Sequence, residues 1–304
     1  MSALFTSALA ASAEAASGQH YPQGTLYVVA TPIGNLADIS LRALYLLGLV
    51  DTIACEDTRH TQTLLRAYGI DKNSGQLIAL HQHNEAQAAQ TVIDHLRLGQ
   101  RVAYVSDAGT PGISDPGARL VATVRAQNLR CMPLPGPSSV TTVLSAAGIT
   151  EDQTGGFVFA GFLSNKAAER ERAVLALAAE TRAVVLLEAP HRIEALALAL
   201  ASLGSRAVTI GRELTKQFEE IATVQAQDLP SWLAQNANRL RGEFALVIHP
   251  TPVPTEQVHD TRILNLLLEQ LPLKSAVKLA ADITGAPRNT LYKLALNLKT
   301  KNAD

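Results

Sequence analysis

With 304 residues and 47% hydrophobic side chains, the chain is long enough for one to three domains with sizeable cores and lies outside the disordered class. A formal net charge of -1 supplies no global field for nucleic acid or an anionic membrane. No apolar run approaches the roughly 20 residues that span a bilayer, and the two distant cysteines, Cys55 and Cys131, suit a reducing compartment and form neither a disulfide framework nor a zinc site.

In chain order, residues 1–23 are rich in Ala and Ser but lack the Lys or Arg that precedes the apolar part of a secretory signal, so they read as a disordered tail. From Gly24 to Gly148 short β-rich runs alternate with helical patterns. The strands expected are 25–30, 52–56, 77–81, 102–106 and 131–135, and the helix Glu85 to Leu98 is closed by Gly99. This alternation predicts βαβ units and a parallel sheet covered by helices on both faces, an N-terminal α/β domain over 24–148. Beyond it the order changes. Strands at 157–163, 183–189, 207–214, 218–229 and 242–249 include neighbours with only a short turn between them, which predicts a second α/β domain with a mixed sheet over 149–249. Residues 250–260 form a Pro-rich linker. Residues 261–304 are helical, with Leu273 to Thr284, Gly285 and Arg288 to Leu298 patterned like a helix-turn-helix.

The stretch "YVSDAGTPGISDPG" (104–117) empties a strand into a loop of Gly, Pro and Asp. Ligands of open parallel sheets bind beyond the carboxyl ends of the strands, where Asp107 stands. Asp115 before Pro116 reads as a helix N-cap. The glycines fall at neither the P-loop nor the dinucleotide offsets. Acidic residues without a nearby Lys or Arg suit a ligand with hydroxyls, an amine or a positive centre; S-adenosylmethionine has all three, although composition alone does not select it.

The other strand ends carry polar clusters. "TPIGN" (31–35) offers Pro32 and Asn35; "EDTRH" (56–60) offers Glu56, Asp57 and Arg59, with Asp57 also suited to capping the next helix. "HQHN" (81–84) lacks the Cys or acidic residues that would complete a metal site, so no metal is expected. His191, Arg192, Arg212, Glu213 and Lys216 stand at strand ends of the second domain, where Glu213 suits an internal ion pair. Lys274, Lys278, Arg288, Lys293, Lys299 and Lys301 give the tail the positive charge that phosphate contact requires, or else a solvated helical face.

Together, "GTLYVVATPIGNLADISLRAL", "DTIACEDTRHTQTLL", "YVSDAGTPGISDPG", "LPGPSS", "FVFAGFL", "APHRI" and "RELTKQFEEI", in this order, closely resemble bacterial small-subunit ribosomal RNA methyltransferases that modify a cytidine ribose 2′-oxygen, within the tetrapyrrole methylase superfamily. The resemblance runs from about Gly24 to His249 and extends into the helical tail. It implies two α/β domains with an S-adenosylmethionine cleft between them. It also implies a homodimer acting in the cytoplasm on small-subunit ribosomal RNA, without a membrane. For the cofactor it implies Asp107, Ala108, Gly109, Pro111, Ile113, Ser138, Ser139, Leu187, Arg212 and Gly242, with Ser138 equally suited to a plain helix cap. Substrate contacts would come from Pro32, Asn35, Arg59, Arg192, Lys274, Lys278, Lys293 and Lys299. Methyl transfer to a hydroxyl calls for alignment and for a base or a positive group, and Glu56, Asp57, His191 and Lys216 are unranked candidates. The competing readings are a methyltransferase for a tetrapyrrole or for a modified histidine of a translation factor, and a non-catalytic RNA-binding protein, which would not need the acidic Gly/Pro loop.

Overall fold

In the computed structural model, residues 5–81, 84–150, 156–251 and 256–301 are described. The first part of the chain runs α1 (Thr6–Ala16), β1 (Thr25–Val29), α2 (Leu41–Leu49), β2 (Thr52–Cys55), α3 (Thr58–Ala67), β3 (Leu77–Ala79), α4 (Glu85–Arg97), β4 (Val102–Val105), α5 (Gly117–Ala126), β5 (Arg130–Leu134) and α6 (Ser139–Ala146). Its five strands make a parallel sheet in the order β3-β2-β4-β1-β5. The strands are apolar on both faces because both are covered. Tyr27, Val29, Ile53 and Val105 join Leu44 and Leu47 of α2 in one core, while Leu26, Ala54, Val102 and Tyr104 meet Val92 and Ile93 of α4 and Leu120 of α5 in the other.

The second sheet is built from β6 (Phe157–Gly161), α7 (Ala167–Ala178), β7 (Ala183–Glu188), α8 (Ile193–Leu200), β8 (Ala207–Arg212), β9 (Glu220–Gln225), α9 (Leu229–Ala234) and β10 (Phe244–Ile248). Its order is β6-β7-β10-β8-β9, with β6 parallel to β7 and every other pair antiparallel. Side chains alternate across it. Val184 and Leu186 pack with Ile193, Leu196 and Leu200 of α8, while Val185, Ala245 and Val247 turn the other way onto Val140 and Val143 of α6. This second interface joins the two sheets into one unit, residues 1–249.

Two segments depart from the sequence expectation. Residues 5–16 are not a disordered tail: α1 packs on the first core. Alanine favours helix, and Phe5, Ala8 and Leu9 recur at helical spacing. The Phe5 ring meets Tyr68 edge-on, with centroids 5.0 Å apart. The stretch after α1 is also tied down, since Tyr21 is buried and its carbonyl accepts the Arg101 Nε–H at 2.9 Å. The second difference is at the linker. Residues 252–255 lie outside the described residues, and α10 (Glu256–Gln270) begins at Glu256 rather than 261, because nothing after Pro254 bars a helix. It is followed by α11 (Leu273–Thr284) and α12 (Arg288–Lys301) in the unit 250–304, whose core holds Leu264, Val277, Ala280, Leu291 and Ala295. Gly285, at φ +76°, ends α11 in the left-handed conformation.

Candidate functional site

Three loops leave neighbouring strands of the parallel sheet at the same edge. The loops after β1 and β4 are tied by reciprocal backbone hydrogen bonds: Thr31 N–H to the Gly109 carbonyl at 3.0 Å, and Gly109 N–H to the Thr31 carbonyl at 3.1 Å. Gly109 has φ +83°, and a Cβ there would stand 3.2 Å from Ile33 Cγ2, so both backbone and space call for glycine. Asp115 fixes the far end of the loop. Its carboxylate accepts the N–H groups of Gly112 and Gly117, each at 2.7 Å, and the Tyr104 hydroxyl at 2.9 Å. Asp115, expected as the N-cap itself, stands one residue earlier: the cap position falls to Pro116, and Asp115 bonds the first N–H of α5.

The loop after β2 joins this network through carboxylates. Glu56 Oε1 accepts the Asp107 N–H at 3.1 Å, and Asp107 Oδ1 accepts the Asp57 N–H at 3.3 Å. Burial pushes the Glu56 carboxyl above its ordinary value; the Asp107 N–H opposes this, and the charges of Asp107 and Asp115 add to it. Asp57 caps α3 through the N–H groups of Arg59 and His60 at 2.8 and 3.4 Å. The Arg59 guanidinium, 2.9 Å away, helps to hold the Asp57 carboxyl down at about 2.

The facing wall comes from the second sheet. After β8, Glu213 and Thr215 adopt φ +52° and +67°, a strained backbone for residues with side chains, and deliver Leu214 and Lys216 to the cleft. Lys216 Nζ lies 2.7 Å from Glu213 Oε1 and 2.9 Å from Glu243 Oε2. Burial alone would lower its affinity for a proton, but the two carboxylates outweigh burial and raise it, so Lys216 is a cation at neutral pH. Its stem crosses Gly34, where any Cβ would collide with Lys216 Cγ.

Three cavities meet at Ala108. One of about 120 Å³ is lined by Glu56, Gly109, Ile113, Asp115, Ser138, Ser139 and Leu187. A second of about 340 Å³ adds Phe162, Pro190, Leu214, Glu243 and Ala245. The third, about 360 Å³, is lined by Pro32, Gly34, His60, Thr63, Leu64, Asp107 and Lys216. Ser138 opens α6 without its hydroxyl bonding the helix.

The expected residues therefore separate. Glu56, Asp107, Ala108, Gly109, Ile113, Ser138, Ser139, Leu187, Pro32 and Lys216 come together around the cleft. Pro111 is buried within its loop, and Gly242 lies against the Glu213 side chain. Arg212 is buried and directed elsewhere: its guanidinium donates to the Phe218 and Arg241 carbonyls at 3.0 and 3.3 Å and faces Glu220 at 3.4 Å. Arg192 likewise pairs with buried Glu188 at 3.0 Å and donates to the Leu163 carbonyl. Asn35 Oδ1 accepts the Ala37 N–H, capping the turn 36–38, and Arg59 and His191 are exposed. Lys274, Lys278 and Lys293 are exposed on the second unit, where Lys299 lies in α12. Of "HQHN", Gln82 and His83 lie outside the described residues, and the His81 N–H is accepted by Asn84 Oδ1. Sequence reasoning missed Ile33, Gly34, His60, Thr63, Leu64, Phe162, Leu214 and Glu243. Only the face of α3, with His60, Thr63, Leu64 and Ala67 at spacings of three and four, carried a periodic signal.

Residues 25–230 match the Tetrapyrrole (Corrin/Porphyrin) Methylases, and residues 255–299 match the RsmI C-terminal HTH domain. The protein named Ribosomal RNA small subunit methyltransferase I in Escherichia coli O157:H7 is 47% identical over 278 residues, covering 90% of this chain and 95% of that protein. Its namesake in Vibrio cholerae serotype O1 is 46% identical over 276 residues, covering 89% and 94%. Among solved structures, the cobalt precorrin-4 methyltransferase CbiF (17% identity, TM-score 0.55) is similar in fold over 75% of this chain and 98% of its own. A uroporphyrin-III-C-methyltransferase from Thermus thermophilus (19% identity, TM-score 0.53) is similar in fold over 75% of this chain and 94% of its own. The chain belongs to the tetrapyrrole methylases and, among them, to the family of the ribosomal RNA small subunit methyltransferases I, which makes it an S-adenosylmethionine-dependent methyltransferase.

Proposed function

We propose that the enzyme methylates the ribose 2′-oxygen of a cytidine in small-subunit ribosomal RNA, in the cytoplasm and as a homodimer. The assignment to small-subunit ribosomal RNA rests on relatives named for that activity and matching nearly the whole length of the chain, and the cytidine 2′-oxygen is what the sequence resemblance implies. The observation that carries the chemistry is Lys216, held protonated by two carboxylates beside the loop at the end of β4.

The cleft suits S-adenosylmethionine. Asp107, Ala108, Gly109 and Ile113 offer a backbone wall, Ser138 and Ser139 offer hydroxyls, and Leu187 offers an apolar side, around cavities of the size small ligands occupy. When bound, the cofactor supplies a methyl group already activated by its sulfonium. The protein's part is then to align the ribose oxygen with that methyl and to manage one proton. The Lys216 ammonium stabilises charge on the oxygen, and Glu56, which lines the smallest of the three cavities and is made more basic by burial, accepts the proton. Asp57 is committed to its cap and to Arg59. Arg212 and Arg192 act as internal ties that shape the second wall.

The test is methyl transfer from labelled cofactor to small ribosomal subunits, naked ribosomal RNA, cellular protein and a tetrapyrrole precursor. Label on a ribose 2′-oxygen of a small-subunit cytidine is expected. Label confined to protein or tetrapyrrole would replace this reading with one of its competitors.

A further inference from the structure

α1 lies ahead of residues 25–230, the stretch that matches the tetrapyrrole methylases, yet its contacts lead to the wall of the cleft. The Phe5 ring meets Tyr68 edge-on at 5.0 Å. Leu9 packs on the same core and stands beside Gly69, where a Cβ would come within 3.4 Å of Leu9 Cδ1. Tyr68 is the C-cap of α3 and is fully buried, so its hydroxyl needs a partner inside the protein. It donates to the Leu36 carbonyl at 2.6 Å. Burial, and then the charge of Asp38, push this hydroxyl well above its ordinary value, so it remains a donor at neutral and mildly alkaline pH. Leu36 opens the turn 36–38. Together with His60, Thr63, Leu64 and Ala67 of α3, it lines the cavity of about 360 Å³ that also takes in Lys216.

We propose that α1 is a buttress for the substrate side of the cleft: Phe5 and Leu9 hold Tyr68, and Tyr68, as a positioning residue, holds the Leu36 turn at its working distance from α3. The inference rests on the RNA methyltransferase reading and adds to it a part for a segment outside the methylase match. The width of the cavity beside α3 depends on how far Leu36 stands from that helix, and the Tyr68 hydroxyl ties one directly to the other. Removing the Phe5 ring leaves space into which Tyr68 relaxes, and the hydrogen-bonded turn moves with it. Small shifts in such a wall are felt by the ligand it orients. The effect is confined to one side of the cleft. None of Phe5, Leu9, Tyr68 and Leu36 lines either of the other two cavities, where Ser138, Ser139 and Leu187 stand.

Phe5→Ala, Phe5→Leu and Tyr68→Phe test this, assayed at a temperature at which each variant stays folded. Phe5→Ala should raise KM for small ribosomal subunits by about fivefold with kcat within about twofold of wild type, because binding of ground and transition states is lost together. Phe5→Leu keeps an apolar side chain against Tyr68 and should restore most of the loss. Tyr68→Phe keeps the ring and removes only the hydroxyl; it should raise KM by about threefold or more. In all three, the Kd for S-adenosylhomocysteine by calorimetry should stay within about twofold of wild type. A lower melting temperature with unchanged KM in Phe5→Ala and Tyr68→Phe would make α1 a purely stabilising helix, and weakened S-adenosylhomocysteine binding would make its effect general to the cleft; either outcome overturns the proposal. A further readout needs no RNA: amide exchange in Phe5→Ala should quicken at Ala37 and Asp38 as well as within α1, and unchanged exchange in the turn overturns the proposal. A wild-type enzyme that fails to label small-subunit RNA at all would instead remove the parent reading, and the exchange measurement would still decide whether α1 holds the turn.

Discussion

Glu56 is half-buried at the end of β2 with Asp107 and Asp115 nearby, and its affinity for a proton is raised above the ordinary value of 4.5. A carboxyl with a raised folded value favours the folded state most fully below its unfolded value, and that contribution is lost as pH rises through the folded value. At neutral pH the ionised group is therefore a local cost to stability. Glu56→Gln keeps an oxygen for the Asp107 N–H and removes the charge. Its melting temperature should exceed that of wild type at pH 7, and the gain should shrink as pH falls below the ordinary carboxyl value. Methylation should drop by about a hundredfold, the scale of removing a general base. A gain over wild type no larger at pH 7 than at pH 4 would show that Glu56 is not strained by its charge. Some single-residue roles were legible in the sequence and some were not, for a physical reason. Asp57 caps α3 and Asp115 bonds the first N–H of α5 from one residue before its cap, so local spacing exposed both. Arg212 and Arg192 were correctly placed at strand ends, yet which way each points depends on Glu220, across a turn from Arg212, and on the Leu163 carbonyl, which no local pattern reveals, while Glu188, four residues before Arg192, is the one partner at a local spacing.

At the scale of elements, the strands were the most readable parts, because a parallel sheet covered on both faces leaves continuous apolar runs bounded by Gly and Pro. The two misreadings have opposite causes. The α1 segment is low in charge and rich in small residues, which resembles a tail; its anchoring comes from packing on Tyr68 and the first core. The α3 face was passed over because a helix side lining a cavity looks like a solvated one, with His60 and Thr63 both polar and exposed. If α1 is held mainly by Phe5 and Leu9, Phe5→Ala should cost about 1–2 kcal/mol, less than a fully buried aromatic because Phe5 is only partly covered. That corresponds to a fall of a few degrees in melting temperature. Amide exchange should quicken within residues 6–16 while β1 and β4 keep their protection. Equal protection of α1 in variant and wild type would mean that the helix is held by other side chains.

At the scale of the whole molecule, all the cleft-lining residues lie before Pro250, and the unit 250–304 has its own core of Leu264, Val277, Ala280, Leu291 and Ala295. Cutting the chain after Pro254 should therefore leave S-adenosylhomocysteine binding unchanged. Lys274 and Lys278 stand on one exposed stripe of α11, at a spacing of four. Asp282 continues that stripe, and Arg288 at the start of α12 meets it at 3.1 Å. Net positive charge in a protein of overall charge -1 is thus gathered on a small helical unit, whereas the cleft loops are acidic. If this unit holds RNA through phosphates, changing Lys274, Lys278, Lys293 and Lys299 to Glu should weaken binding of small-subunit RNA. The salt dependence should also flatten by about one unit of logarithmic slope for each phosphate that is no longer neutralised. Melting temperature should stay close to wild type, since Lys274, Lys278 and Lys293 are exposed and lie outside that core. The truncated chain should show the same flattened slope and reduced methylation. A reversal variant with the wild-type slope and activity would remove the helices from RNA binding. A fall in melting temperature in that variant would then assign them to supporting the fold or the dimer, and the cleft chemistry, which depends only on residues before Pro250, would be untouched by that result.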